Sequence, residues 1–337
     1  MTTFAQRLIH WQRQHGRHHL PWQTNDPYRV WLSEIMLQQT QVTTVIPYYL
    51  RFIEHYPTVI DLANAKQDNI LALWSGLGYY ARARNLHHAA QQIRDQYAGE
   101  FPRTRKTLET LKGIGRTTAA AICAFAYGQK EAIFDGNVKR VLSRHQAIKG
   151  EVNPQKTPAL WRLAENLLPD NPQDIQAYTQ GLMDLGSLIC TRGQPKCERC
   201  PVATDCRAYL AGQPTAYPEK RQKQPKPEKE GYFLFITTTD NRIRLEKRPE
   251  KGIWGNLWAF PWFESLSALH QYAEEHHLQI SEHPPLEHTH HFTHYTLHLH
   301  IYPAQTHSPP TDKQRDTTAT ERQQLAIPTP IKLIIQS

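Results

Sequence analysis

The sequence predicts a multi-domain protein: an all-α region over residues 1–213, a tether over 214–230, and an α+β domain over 231–337. Three observations carry this. Apolar residues recur at spacings of three and four through the first region, as in Val30, Trp31, Ile35, Val42, Val45 and Ile46, and Pro47, Pro57, Pro102 and Pro169 punctuate the pattern. Residues 214–230 are rich in Pro, Lys and Gln, the composition of an extended, solvated connection. Beyond Gly231 the period drops to two, as in Tyr295, Leu297, Leu299 and Ile301. Strands are expected over 232–237, 242–245, 257–260 and 295–302, with a helix over 266–275 between them.

Charge is shared unequally between the two regions. Residues 1–230 carry 30 Lys and Arg against 20 Asp and Glu, while residues 231–337 carry 9 against 11. The first region is therefore the one suited to a polyanion. No apolar run follows Met1, and no apolar span is long enough to cross a bilayer, so no membrane partner and a cytoplasmic, nucleoid-associated protein are expected. Of 5 cysteines, Cys190, Cys197, Cys200 and Cys206 crowd into one loop and Cys123 stands alone in an apolar helix. That distribution suits metal ligation in a reducing compartment better than disulfide pairing.

In the run Leu111 to Thr117, Gly113 and Gly115 are expected to take positive φ in a tight hairpin, and Thr117 to Ala121 then open a helix whose free N–H groups face outward. Such a helix start attracts a backbone phosphate without reading a base. Further on, Asp135 is an isolated acid before Lys139, Arg140 and Arg144. It reads either as a turn or N-cap residue or as a group placed for chemistry. The cysteines follow C-x6-C-x2-C-x5-C among Arg192, Lys196, Arg199 and Arg207, and four thiolates suit either a tetrahedral zinc ion or a [4Fe–4S] cluster. Taken together, hairpin, aspartate and order of motifs resemble the helix-hairpin-helix DNA glycosylases, with a looser turn at Gln129 and Lys130. The resemblance implies a six-helix barrel over about 24–135 and a second subdomain built from the N-terminal helix with residues 136–213. It also implies that Cys190, Cys197, Cys200 and Cys206 hold a [4Fe–4S] cluster, which shapes a phosphate-gripping loop.

Glu34 has Val30, Trp31, Leu37 and Gln38 as its helical neighbours at three and four, so no cation is at hand. It is either an ordinary exposed glutamate or a desolvated one, whose raised pKa would keep a proton ready for donation. Residues 30–41 resemble the catalytic helix of the MutY branch of the same glycosylases. That resemblance makes Glu34 the proton donor to an adenine, with Asp135 stabilising positive charge at C1′ and Asn137 bonding near the same centre. It implies extrusion of the base from the duplex, with Gln38, Gln39, Thr40, Leu77 and Tyr79 against the opened stack and Gly113, Gly115 and Thr117 on the strand. Tyr80 is read as core, and Arg82 and Arg84 as phosphate contacts. Bifunctional relatives carry a lysine nucleophile where this chain has Thr117, so strand cleavage should be absent or slight.

Residues 244–261 resemble the strand-turn-strand of Nudix domains, but the metal-binding helix with its paired glutamates does not follow, and no pyrophosphohydrolase activity is expected. In the MutY branch this domain recognises the base opposite the adenine through a Phe-Ser-His loop, whose equivalent here is Phe292, Thr293 and His294, with Thr in place of Ser. The implied substrate is adenine opposite 8-oxoguanine or guanine in double-stranded DNA, and the expected assembly is a monomer. His288, His290, His291 and His294 offer a metal site as the alternative use of that segment. The rival readings are an endonuclease III-like glycosylase/lyase and a non-catalytic, cluster-containing DNA-binding sensor.

Overall fold

The computed structural model describes residues 2–150, 157–219 and 225–336, so residues 220–224 of the expected tether lie outside it. The chain forms two units, one of residues 1–63 with 88–222 and one of residues 64–87 with 223–337.

The first unit is helical, and its helix starts are written in the sequence. Thr3 and Gln6 form a reciprocal capping box at the start of α1 (Phe4–His15). Asp26 caps α2 (Pro27–Leu37) by accepting from Tyr28 and Arg29 N–H groups, and Pro27 fills the first helical position. α3 (Val42–His55), α4 (Val59–Asn64), α5 (Gln67–Leu73) and α6 (Ala81–Tyr97) follow; α5 and the start of α6 belong to the second unit. After α7 (Arg105–Leu108), Gly113 turns the chain at φ 80° into α8 (Arg116–Tyr127). α8 is built of small residues, Ala119, Ala120, Ala121 and Ala124, all buried, and packs against α2. It stops at Gly128, whose φ of 64° lets the Gln129 N–H reach the Cys123 carbonyl.

Asp135 then caps α9 (Gly136–His145), which is followed by α10 (Thr157–Asn166) and α11 (Ile175–Asp184). α11 runs on as a π-turn over Leu185–Ile189 and delivers Cys190; α12 (Arg207–Leu210) follows Cys206. α1 lies on α11, and Phe4 and Leu8 share one core with Val138, Leu142, Leu160, Tyr178 and Leu182. The N-terminal helix thus shares a core with residues of α8, α9, α10 and α11.

The second unit is an eight-stranded mixed sheet among its described residues, in the order β3-β2-β1-β7-β5. Its strands are β1 (Glu228–Thr238), β2 (Ile243–Lys247), β3 (Trp258–Ala259), β4 (Trp262–Phe263), β5 (Gln279–Ile280), β6 (Leu286–His291), β7 (Thr296–Thr306) and β8 (Gln314–Thr317). β1 and β7 run parallel, with Phe233 beside Ile301, while β4, β6 and β8 pair antiparallel with β1, β7 and β2. α13 (Leu266–Glu275) covers one face over Leu234, Ile236 and Leu269. α14 (Ala319–Gln323) and α15 (Thr329–Gln336) complete the chain, with Ile331 of α15 in the core of the other face. All four expected strands and the helix are present. The expected tether is shorter than its composition suggested, because β1 begins at Glu228.

Candidate active site and nucleic-acid interface

Glu34 opens the last turn of α2, one turn beyond the buried Val30 and Trp31 on the same face. It lines a cavity of about 460 Å³ together with Arg17, Gln180, Leu37, Trp22 and Phe125. Burial pushes its carboxyl up to about 8, and the nearby Asp135 carboxylate adds to the shift. Glu34 and Asp135, 101 positions apart in sequence, are thus in one electrostatic site.

Asp135 serves as N-cap and as site carboxylate at once. Its Oδ1 accepts from the Val138 N–H at 2.7 Å and its Oδ2 from Asn137 Nδ2 at 3.3 Å. Burial raises its pKa, while those hydrogen bonds, and the Arg140 charge last, pull the other way. Asn137 is held in turn by Arg140, whose Nη2 donates to Asn137 Oδ1 at 2.8 Å and to the Gly186 carbonyl at 2.6 Å. Gly186 sits so close that a Cβ there would stand 2.5 Å from Asn137 Cβ. The π-turn of residues 185–189 therefore presses on the site residue Asn137, a setting common for such turns.

Sequence reasoning missed Gln180, which lines the cavity, and its hydrogen-bond partner Asp184, which does not. Asp184 is fully buried and accepts from Arg17 through Nε at 2.7 Å and N at 2.9 Å, and from Gln180 Nε2 at 2.9 Å. Gln180 thereby has one amide hydrogen committed to Asp184. A buried acid and amide four apart on an apolar helix was the available signal, but α11 also reads as an ordinary core helix.

At the hairpin, Gly113 takes the left-handed conformation but Gly115 does not: its φ is −93°, and it is the N-cap of α8. The expectation for Gly115 is corrected: neither its φ nor the space around it, where a Cβ would meet nothing within 4 Å, demands a glycine within the protein itself. At the helix start Arg116 and Thr117 are half-buried and Thr118 is buried. Arg116 itself pairs with Glu165 and lies 3.8 Å over the Trp161 ring. Gln38 is the C-cap of α2; Gln39 is exposed with φ 58°, and Thr40 follows.

In the second unit, Tyr79 and the loop Phe292–Tyr295 line one cavity of about 620 Å³, shared with Trp254, Arg84 and Lys229. Tyr79 is 42 % exposed and has φ 48°. Phe292 stacks on Tyr295 at 4.6 Å and the Phe292 N–H closes the turn on the Tyr295 carbonyl, while Thr293 and His294 are exposed. Leu77 is buried beneath the Tyr79 loop. Arg82 and Arg84, expected as phosphate contacts, both bond to main-chain carbonyls. Arg82 is buried and donates to the Leu77 and Gly78 carbonyls, and Arg84 donates to the Gly255 carbonyl at 2.9 Å. The charged ends are spent on holding backbone.

Cys190, Cys197, Cys200 and Cys206 line one small apolar pocket with Ile189, Pro195 and Tyr209. Arg144 Nη1 donates to Cys190 Sγ at 3.3 Å, and main-chain N–H groups of Val202, Tyr209 and Ala208 bond to Cys200 and Cys206. Among the described residues no three His, Cys, Asp or Glu side chains are disposed to hold a metal ion by themselves. No helix among the described residues is long and apolar enough to cross a membrane.

Comparison with known proteins agrees with this geometry. A family model described as HhH-GPD superfamily base excision DNA repair protein matches residues 32–166, and a NUDIX domain model matches residues 232–337. The chain is 39 % identical over 300 residues to the adenine DNA glycosylase of Buchnera aphidicola subsp. Schizaphis graminum, covering 88 % of this chain and 86 % of that one. It is 34 % identical to the adenine DNA glycosylase of Rattus norvegicus, over 90 % of this chain and 70 % of the relative. Among solved structures, a thermostable thymine-DNA glycosylase matches with a TM-score of 0.57 and 31 % identity, over 62 % of this chain and 95 % of that one. An endonuclease III bound to DNA matches in fold, with a TM-score of 0.52, 20 % identity and coverage of 62 % and 94 %.

Proposed function

The chain belongs to the adenine DNA glycosylases of base excision repair, which hydrolyse an N-glycosidic bond, and on that premise we propose how its residues do so and which base pair they meet. A flipped adenine enters the 460 Å³ cavity. The Gln180 carbonyl accepts from the adenine N6 amino group, a contact that guanine, with a carbonyl at that position, cannot make. Glu34, protonated at neutral pH because burial raises its pKa to about 8, donates to adenine N7. The C1′–N9 bond breaks with its electron pair leaving on the base, and Asp135 stabilises the positive charge on the sugar. Water adds at C1′ and its proton restores Glu34. The observation that carries this reading is the placing of a half-buried Glu34, its pKa raised by desolvation, in one electrostatic site with an Asp135 held by Asn137 Nδ2 and the Val138 N–H.

The start of α8 and Gly113 grip a phosphate, and Gln38, Gln39 and Thr40 fill the space left by the base. With Thr117 in place of an amine, no Schiff base forms and the enzyme is monofunctional. Tyr79, Phe292, Thr293 and His294 receive the partner base, 8-oxoguanine or guanine, in the cavity of the second unit. Cys190, Cys197, Cys200 and Cys206 fit a [4Fe–4S] cluster: the donor set is sulfur alone, arranged around a pocket, and main-chain N–H groups point at the sulfurs. The cluster would cross-link the loop of residues 190–206, leaving Arg192, Lys196 and Arg199 to meet phosphates.

Incubating the protein with a duplex containing adenine opposite 8-oxoguanine tests the chemistry. Strand breaks should appear only after alkali treatment, with no borohydride-trapped complex. Breaks without alkali would favour the lyase reading, and binding without base loss the sensor. Absorption near 400 nm, expected for iron–sulfur and absent for zinc, tests the cofactor.

A further inference from the structure

The loop between α5 and α6 is bent by left-handed backbone at Gly76 (φ 107°), Gly78 (φ 68°) and Tyr79 (φ 48°). A tyrosine keeps that conformation only where its surroundings over-determine it. Part of the constraint is internal, since Arg82 ties down the Leu77 and Gly78 carbonyls and lies 5.5 Å over the Tyr79 ring. The rest comes from the far end of the chain. Lys332, on α15, donates from Nζ to Ser75 Oγ at 2.8 Å. The Ser75 hydroxyl lies 3.4 Å from the Ile327 carbonyl, just before that helix, and 3.5 Å from the Tyr80 hydroxyl. Burial lowers the pKa of the Lys332 ammonium, so this is a partly desolvated cation and not a solvated surface lysine. At its other end, α15 begins with Thr329 and Pro330, which line the cavity shared by Tyr79 and the Phe292–Tyr295 loop. One short helix therefore touches both the loop and the cavity wall.

We propose that α15 is the strut that sets Tyr79 against the partner-base cavity, and that Lys332 and Ser75 are positioning residues governing discrimination between 8-oxoguanine and guanine opposite the adenine. The inference rests on the reading that this cavity receives the partner base. Neither Lys332 nor Ser75 lines the cavity, so they act through the loop. Losing the charge-assisted bond lets Tyr79 leave its left-handed conformation, and a bond of that kind is worth about tenfold in a two-state preference.

The test uses the full chain and two duplexes, adenine opposite 8-oxoguanine and adenine opposite guanine, and reads the ratio of kcat/KM between them. Lys332→Met and Ser75→Ala should each lower that ratio by about tenfold. The double variant should lower it no further, and Lys332→Arg, which keeps a cationic donor, should retain most of it. An unchanged ratio in variants with the parent melting temperature overturns the proposal, as does an equal slowing on both duplexes, which is what mere loss of stability would give. Should Lys332→Met fail to accumulate, Ser75→Ala decides alone. Phe292→Ala separates the two levels. If it leaves the ratio intact, the cavity reading falls and the strut with it; if it collapses the ratio while Lys332→Met does not, only the strut falls.

Discussion

Glu34 has a cost as well as a use. Its folded pKa of about 8 lies above the ordinary value of a glutamate, so between roughly pH 4 and pH 8 the native state holds a proton that the unfolded chain releases. Stability is therefore undiminished below the unfolded pKa, falls as pH rises through that window, and has lost the whole contribution above about 8. Glu34→Gln removes the ionisable group, and this variant should melt at a higher temperature than the parent at pH 8 and match it near pH 4. Its excision rate should fall by about 10²–10⁴, the usual share of a general acid. Excision by the parent should decline as pH rises through about 8; a profile flat to pH 9, or a variant that melts lower at pH 8, would contradict the assignment. Asp135→Asn separates the two duties of its residue. Asparagine caps a helix as well as aspartate, so the melting temperature should barely move, whereas loss of the charge facing C1′ should slow excision by at least about tenfold with DNA affinity retained.

At the scale of elements, the π-turn of residues 185–189 is the device that fixes Asn137. Gly186→Ala would put a methyl 2.5 Å from Asn137 Cβ and displace the Arg140 bridge between Asn137 and the Gly186 carbonyl. Overpacking of this kind costs about 1–3 kcal/mol. A fall in melting temperature together with slower single-turnover excision is expected. Gly193→Ala, where a Cβ meets nothing within 4 Å, should change neither, and equal behaviour of the two variants would refute the role given to the turn.

What the sequence made legible follows local rules. The period of two along β7 and the left-handed turn at Gly113 each depend on neighbours a few residues away, and both stand where expected. β6, β8, α14 and α15 had no such signature: β6 has an exposed-to-intermediate polar face at both parities, so no period of two in hydrophobicity marks it. The carbonyls that Arg82 and Arg84 serve were not legible, because a charge in a glycine-rich run looks solvated until the fold is seen. The site split the same way. Glu34 showed through its apolar helical neighbours, whereas Gln180 gained meaning only when folding placed it in the lining of the same cavity.

At the scale of the whole molecule, residues 64–87 belong with residues 223–337 although more than 130 positions separate the segments. No period or composition shift could reveal this, because the pairing lies in long-range contacts. The Lys247 ammonium holds both oxygens of Asp68 at 2.7 and 2.8 Å, Asn256 Nδ2 donates to Gln67 Oε1 at 2.9 Å, Arg84 to the Gly255 carbonyl at 2.9 Å, and Lys332 to Ser75 at 2.8 Å. A cut at the tether therefore does not fall between independent domains. A chain ending at residue 222 keeps the helical core of residues 1–63 and 88–222 but strips residues 64–87 of every one of these partners. Exposed solvent-side pairs contribute little each, yet losing them together with the packing around Trp74 and Leu77 should put the loop at the low-stability end of the structure. Limited proteolysis should then cut the shortened chain first within residues 74–81, at protease levels that leave that segment of the full chain intact. If the shortened chain resists cleavage there as well as the full one does, residues 64–87 are held by the first unit after all, and the division of the molecule into two units would have to be redrawn.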